Sequence, residues 1–69
     1  MPTISKNIRK LREQKGISQD RLSKLADISL NTIAKLELDE TQNPTIETLQ
    51  KIAKALEISL DEIVKNVKQ

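Results

Sequence analysis

The sequence predicts an all-α fold, a single domain of five short helices, and three observations support this class. Apolar residues recur at spacings of three and four, which is the period of an amphipathic helix. Serine or threonine precedes the apolar runs, at the position that favours a helix N-cap. The 69 residues include one glycine and no stretch in which apolar and polar residues alternate, as they would in a half-buried strand.

The first helix is predicted over about residues 5–15. Its apolar residues follow the i, i+4, i+7 pattern and are Ile4, Ile8 and Leu11. Thr3 or Ser5 is the predicted N-cap. Gly16 follows the last turn, where a residue with a left-handed backbone commonly ends a helix.

The second and third helices are predicted to be short and to meet in a tight turn. Ser18 caps the second helix, whose apolar face consists of Leu22, Leu25 and Ala26. Ile28 lies in the turn, Ser29 caps the third helix, and the inward-facing residues of that helix are Ile33 and Leu36. Because helices of about eight residues are marginal alone, both must pack on a shared core. This pattern predicts a helix-turn-helix over about residues 18–37.

The fourth and fifth helices follow a loop that ends near Pro44. Thr45 is the predicted N-cap of the fourth helix, whose apolar stripe consists of Leu49, Ile52, Ala53 and Leu56. Ser59 and Glu62 match a capping box at the start of the fifth helix. The apolar residues of the fifth helix exceed what its own packing needs, and they are Leu60, Ile63, Val64 and Val67.

The composition disfavours several classes of function. The chain has no His, Cys, Phe, Tyr or Trp, so the core must consist of Ile, Leu, Val and Ala, and no disulfide, metal site or cofactor is expected. Catalysis is disfavoured for the same reason, and the adjacent acids Asp61 and Glu62 are explained by the positive end of a helix dipole. No apolar block approaches the roughly 18 residues of a membrane span, which predicts a cytoplasmic domain.

Charge is distributed unevenly, although the net charge is only +2. Residues 1–24 contain seven basic and two acidic residues, whereas residues 25–49 contain one basic and five acidic residues. The basic first third is consistent with an electrostatic surface for nucleic acid. The alternative is a lysine-rich surface that contacts only solvent, and charge alone leaves both open.

The pattern of the third helix also predicts which of its residues face outward. If Ile33 and Leu36 are buried, the residues on the opposite side are Leu30, Asn31, Thr32 and Lys35. Asn can bind adenine, Thr can contact a base or a thymine methyl group, and Lys can reach guanine or phosphate. The alternative is a solvated helix face with one ordinary exposed leucine.

Over about residues 4–67, the chain resembles the Cro/CI-type (XRE-like) helix-turn-helix family of phage and bacterial repressors. The resemblance rests on the segments NIRKLREQKGISQDRLSKLADIS, NTIAKLE and NPTIETLQKIAKALEISLDEI, in this order. It implies a lambda-repressor-like five-helix bundle over residues 1–69 that binds double-stranded DNA as a small transcriptional regulator, with the third helix in the major groove. The alternative is a protein-interaction module on the same scaffold, antitoxin-like or regulator-binding, with a regulatory protein as its partner.

The resemblance also implies roles for individual residues. The expected DNA contacts are Gln19, Ser29, Leu30, Asn31, Thr32 and Lys35. Arg12 and Glu37 match a pair that forms a salt bridge between the first and third helices in family members. Because one copy buries too little surface for tight binding, a homodimer on a palindromic operator is expected. Its expected interface consists of Leu60, Ile63, Val64 and Val67, and the alternative is that these residues complete the core of the monomer.

Two departures from the family pattern affect these expectations. Family members usually have glycine after the second, third and fourth helices, where this chain has Asp27, Asp39 and Glu57. Asp tolerates a left-handed backbone fairly well, whereas at Glu it costs about 1 kcal/mol, so either these helix ends are strained or the local turns differ. In addition, Asp39 and Glu40 place negative charge in the loop after the third helix, where phosphate contacts are expected. This charge would weaken DNA binding or make it dependent on a partner.

Overall fold

The computed structural model describes residues 3–38 and 43–65, and these residues form five helices. The helices are α1 (Ile4–Gln14), α2 (Gln19–Ala26), α3 (Leu30–Leu38), α4 (Ile46–Leu56) and α5 (Leu60–Val64). No strand occurs within the two described ranges, and the predicted all-α class is confirmed. In the same ranges, no helix has the length and apolar character required to cross a membrane.

Each helix begins at a hydroxyl side chain that accepts a hydrogen bond from the backbone N–H three residues later. The five distances lie between 3.0 and 3.4 Å, and the caps are Thr3, Ser18, Ser29, Thr45 and Ser59. At α1, where the sequence leaves two candidates open, Thr3 is the cap. Ser5 is buried instead, and its Oγ donates to the backbone oxygen of Glu37 at 2.9 Å, which links α1 to α3.

The apolar core connects all five helices. α3 packs against both α1 and α2, α4 packs against α2 and α5, and α1 also contacts α5. The buried apolar side chains are Ile8, Leu22, Ala26, Ile33, Leu36, Leu49, Ile52, Ala53, Leu56 and Ile63. Because two neighbouring helices hold the inner face of α3, the direction of its outer face is fixed.

Two residues lie elsewhere than the sequence pattern predicts. Leu25 is 47% exposed, so its assignment to the apolar inner face of α2 is wrong. Leu22 and Ala26 lie one turn apart and form that face, while Leu25 lies on the other side of Leu22. Ile63 is fully buried within the single chain, so its assignment to a dimer interface is corrected. It is the buried residue through which the five-residue helix α5 packs on the core.

Three helices end in the same way, with a left-handed residue followed by isoleucine and serine. The left-handed residues are Gly16, Asp27 and Glu57, with φ values of 70°, 57° and 57°. In each case the isoleucine N–H bonds to the carbonyl oxygen five residues earlier, at 3.0 to 3.4 Å, which is a Schellman arrangement. The isoleucines that pack against the core from these turns are Ile17, Ile28 and Ile58. The left-handed backbones considered at Asp27 and Glu57 are therefore present, whereas Asp39 lies outside the described residues.

Candidate nucleic-acid interface

α3 has a buried side and an exposed side. The buried side consists of Ile33, Leu36 and Glu37. The exposed residues opposite it are Leu30, Asn31, Thr32 and Lys35, so the outward orientation predicted from the pattern is confirmed. Asn31 and Lys35 lie one turn apart, and neither makes a hydrogen bond or ion pair with a described residue. Their amide and ammonium groups are therefore available to a ligand.

The amino-terminal end of α3 is fixed by a local pair of hydroxyl groups. Ser29 Oγ accepts the backbone N–H of Thr32 at 3.2 Å, and Ser29 Oγ and Thr32 Oγ1 lie 2.8 Å apart. One hydroxyl proton is therefore used between the two side chains. Both residues are exposed, so each oxygen keeps acceptor capacity toward solvent or a ligand.

A buried ion pair connects α3 to α1. Arg12 donates from Nε to Glu37 Oε2 at 2.7 Å and from Nη2 to Glu37 Oε1 at 2.9 Å, which is a bidentate geometry. The two side chains are only 11% and 2% exposed. The structure thus contains the ion pair that the family resemblance implies. Arg12 also donates from Nη1 to the carbonyl oxygen of Ile17 at 2.6 Å, so the same side chain fixes the turn after α1.

Glu37 also accepts a hydrogen bond from α2. Gln19 Nε2 donates to Glu37 Oε1 at 3.1 Å, across 18 positions of sequence, and no spacing rule predicts such a contact. The bond orients the amide at the first residue of α2, and its oxygen and second amide proton remain for a ligand.

The buried carboxylate also sets the electrostatics of Arg12. The hydrogen bond from Arg12 to Glu37 raises the pKa of Arg12 above its ordinary value, while burial acts in the opposite direction. The guanidinium is therefore charged at neutral pH, and its charge is neutralised inside the molecule. Arg12 does not contribute a free positive charge to the surface.

Other ion pairs further reduce the positive charge that the amino-terminal third of the chain offers to a ligand. Arg9 lies 3.7 Å from Glu13, and Lys24 lies 3.2 Å from Asp20. The exposed basic residues of this third that have no ion pair with a described residue are Lys10, Lys15 and Arg21. The charge asymmetry of the sequence therefore overstates the basic surface.

The predicted dimer interface on α5 is only partly exposed. Val64 is 39% exposed, whereas Leu60 is partly buried and packs against the core. Ile63 belongs to the core itself. Val67 lies outside the described residues, as does the acidic loop 39–40. Within the described residues, α5 thus offers a second copy Val64 and one edge of Leu60.

Comparison with known proteins relates these features to one family. A family model described as helix-turn-helix matches residues 8–63, which include α2, α3 and the turn between them. The HTH-type transcriptional regulator PuuR of Escherichia coli (strain K12) is 37% identical over 57 residues, which is 83% of this chain. The PuuR protein of Shigella flexneri matches to the same extent. The matched part is 30% of the length of each regulator, so this chain corresponds to only part of those relatives.

Solved structures share the arrangement of the helices. The restriction-modification controller protein C.AhdI from Aeromonas hydrophila superimposes with a TM-score of 0.81 at 28% identity, over 87% of this chain and 89% of that protein. The P22 c2 repressor, solved in complex with the synthetic operator 9T, superimposes with a TM-score of 0.81 at 32% identity, over 94% of this chain and 97% of the repressor. The lambda-repressor-like bundle implied by the resemblance is therefore confirmed.

Proposed function

This chain belongs to the helix-turn-helix family, and we propose that it binds double-stranded DNA at specific sequences and regulates transcription. The observation that carries the proposal is the outer face of α3. Asn31 and Lys35 are exposed there without a partner among the described residues, while α1 and α2 hold the inner face. The major groove of B-DNA is wide enough to admit an α-helix presented in this way. The P22 c2 repressor, 32% identical to this chain, is solved with an operator, which supports DNA as the ligand.

The proposed contacts divide into base and phosphate contacts. Asn31 would bind adenine through its amide, and Lys35 would donate to guanine. Gln19 and Ser29 lie at the amino-terminal ends of α2 and α3, where backbone N–H groups and the helix dipole favour a phosphate. The proposed set of DNA-contacting residues is Gln19, Ser29, Leu30, Asn31, Thr32 and Lys35.

We propose that binding requires a homodimer on a palindromic operator. A single module of this size buries too little surface for tight, specific binding. Two copies related by a two-fold axis would place their α3 helices in successive major grooves about 34 Å apart. The exposed Val64 and the edge of Leu60 support α5 as the interface.

Selection of genomic DNA fragments with the purified protein, followed by gel-shift titration, tests the proposal. Asn31→Ala is expected to weaken binding to the selected site by about 1–3 kcal/mol, because the adenine loses its amide partner. Gln14→Ala is the matched control, since Gln14 is an exposed amide on α1 outside the proposed interface. Within the described amino-terminal third, the exposed basic residues without an ion pair are Lys10, Lys15 and Arg21. Few phosphate contacts from this region would give a shallow decline of log K with log salt, since each contact contributes about 0.9 to the slope.

A protein-interaction module is the rival function, and the exposed leucines of α3 favour it. Leu30 is 45% and Leu38 is 85% exposed. A folded protein that binds no duplex at low salt would contradict the DNA-binding proposal and support this rival.

A further inference from the structure

The outer side of α3 carries an apolar row beside its polar one. The row consists of residues four positions apart, which lie on one face of a helix, and these are Leu30, Ala34 and Leu38. Leu30 is 45% exposed, Ala34 is partly buried and Leu38 is 85% exposed. None of the three belongs to the set of side chains that form or pack against the core. The row is therefore not part of the apolar core that the described residues form.

The apolar row lies inside the surface proposed to face DNA. Asn31 and Lys35 follow directly on its outward side. On its other side, Ala34 and Leu38 line a shallow cleft together with Gln19 of α2. A ligand that contacts both Gln19 and Asn31 must cover this row. Double-stranded DNA bound across these two residues is such a ligand, so on the proposed function the row needs no separate protein partner.

Within the row, Leu30 is the residue in the best position to contact the edge of a base. It is the first residue of α3, and the amino-terminal residues of a groove-binding helix are the ones that reach base edges. Ser29 precedes Leu30 and Thr32 follows it by two residues, and the hydrogen bonds between Ser29 and Thr32 hold the backbone on both sides of Leu30. Leu30 therefore has a defined position, although its side chain is not held by the core.

We propose that Leu30 contacts the 5-methyl group of a thymine, next to the base bound by Asn31, and thereby selects thymine at one position of each half-site. The inference rests on the proposed DNA-binding function. The thymine methyl is the one apolar group that base edges present in the major groove. Contact with it removes two apolar surfaces from water. At a cytosine the same ring position carries only a hydrogen atom, so the apolar contact is lost and the leucine favours thymine over this competitor.

Replacement of thymine by deoxyuridine, one position at a time across the selected operator, tests this contact. Deoxyuridine keeps the pairing and the O4 acceptor of thymine and lacks only the methyl group. At one symmetric position per half-site, the wild-type chain should bind the uracil duplex about fourfold more weakly, as expected for one methyl group removed from an apolar contact. Leu30→Ala should bind the thymine duplex more weakly than the wild type does. It should not distinguish thymine from uracil at that position.

Two variants serve as controls for this scan. Leu38→Ala removes an equally apolar side chain at the far end of α3 and should keep the wild-type sensitivity to uracil. Thr32→Ser removes only the other methyl group near the amino terminus of the helix, keeps the hydroxyl that pairs with Ser29, and should keep that sensitivity. Circular dichroism melting of Leu30→Ala checks that the fold is intact, which is expected because Leu30 is not part of the core.

The outcomes separate this inference from the proposed function. If the wild type binds a selected operator but no position shows a uracil penalty that Leu30→Ala abolishes, the Leu30 contact is overturned and DNA binding stands. A penalty that persists in Leu30→Ala and disappears in Thr32→Ser would overturn it in the same way. If no duplex is bound at all, the proposed function itself fails before the scan begins.

Discussion

Glu37 connects three helices through two of its polar groups. Its carboxylate accepts from Arg12 of α1 and from Gln19 of α2, and its backbone oxygen accepts from Ser5. Removing one partner of a buried pair leaves the other charge without compensation, which costs more than the pair itself contributes. The position of α3 relative to α1 and α2 therefore depends on Arg12.

Arg12→Ala is expected to lower the free energy of unfolding by about 3–5 kcal/mol, because the buried Glu37 carboxylate loses both charge-assisted bonds. Urea denaturation followed by circular dichroism measures this change. Since the pKa of Arg12 is raised in the folded chain, its contribution to stability is fully present at neutral pH. It is lost only as pH rises through the strongly alkaline range, where the folded guanidinium deprotonates.

Two comparisons isolate the buried pair. Arg9→Ala removes an ion pair whose side chains are 62% and 57% exposed, and its effect should stay within about 0.5 kcal/mol. The double variant Arg12→Met with Glu37→Leu removes both charges together and should recover much of the loss. An Arg12→Ala chain that unfolds at the same urea concentration as the wild type would show that Glu37 does not need its partner.

At the scale of helices, the repeated helix ends give two described non-glycine residues a left-handed backbone, Asp27 and Glu57, and glutamate tolerates it less well than aspartate. Glu57 ends α4 with φ of 57°, a conformation that costs a residue with a Cβ atom about 1–2 kcal/mol. Glu57→Gly should raise the free energy of unfolding by about 0.5–1 kcal/mol, after the greater freedom of glycine in the unfolded chain is subtracted. A thermal melt should show this as an increase in Tm of about 2–8 °C.

The opposite change at the equivalent turn is the matched control. Gly16→Ala places a Cβ at φ of 70°, and no atom lies within 4 Å of that Cβ, so only backbone strain is added. A destabilisation of about 1 kcal/mol is expected. A decrease in Tm on Glu57→Gly would mean that the Glu57 side chain contributes more than its backbone conformation costs.

The positions of the helices can be predicted from local sequence, whereas the contacts between helices cannot. Ser18, Ser29, Thr45 and Ser59 are predicted as caps because a hydroxyl before an apolar run has a local function that depends on nearby backbone alone. Leu25 is the residue for which the prediction from periodicity fails. It lies three positions after the buried Leu22, yet it is 47% exposed, because a side chain beside the buried face of a short helix can remain at the edge of the core. The contacts of Glu37 with Ser5 and Gln19 depend on how α1 and α2 dock, which residue spacing does not encode.

At the scale of the whole molecule, surface charge is the property that the sequence predicts least well. The amino-terminal third contains seven basic residues, yet ion pairs occupy Arg9, Arg12 and Lys24. The pairs of Arg9 and Lys24 follow the i, i+4 rule and can be inferred from a helix pattern. The pair of Arg12 spans two helices and is implied only by the family resemblance. The outward face of α3 was predictable because burial of Ile33 and Leu36 leaves one direction for the residues opposite.

The proposed homodimer can be tested at Val64. This residue is exposed in the single chain whereas its neighbour Ile63 is buried, so a substitution at Val64 can weaken an interface without disturbing the core. Val64→Lys should raise the dissociation constant of the dimer by at least about tenfold, since a symmetric interface contains the exposed valine twice. Sedimentation equilibrium measures the dimer, and the Tm of the diluted chain should not change. Affinity for the palindromic operator should fall, while affinity for a single half-site should not. Leu25→Lys is the control, as Leu25 is an apolar residue of similar exposure, 47%, on α2 rather than on α5. A wild-type chain that remains monomeric while it saturates the operator would contradict the dimer.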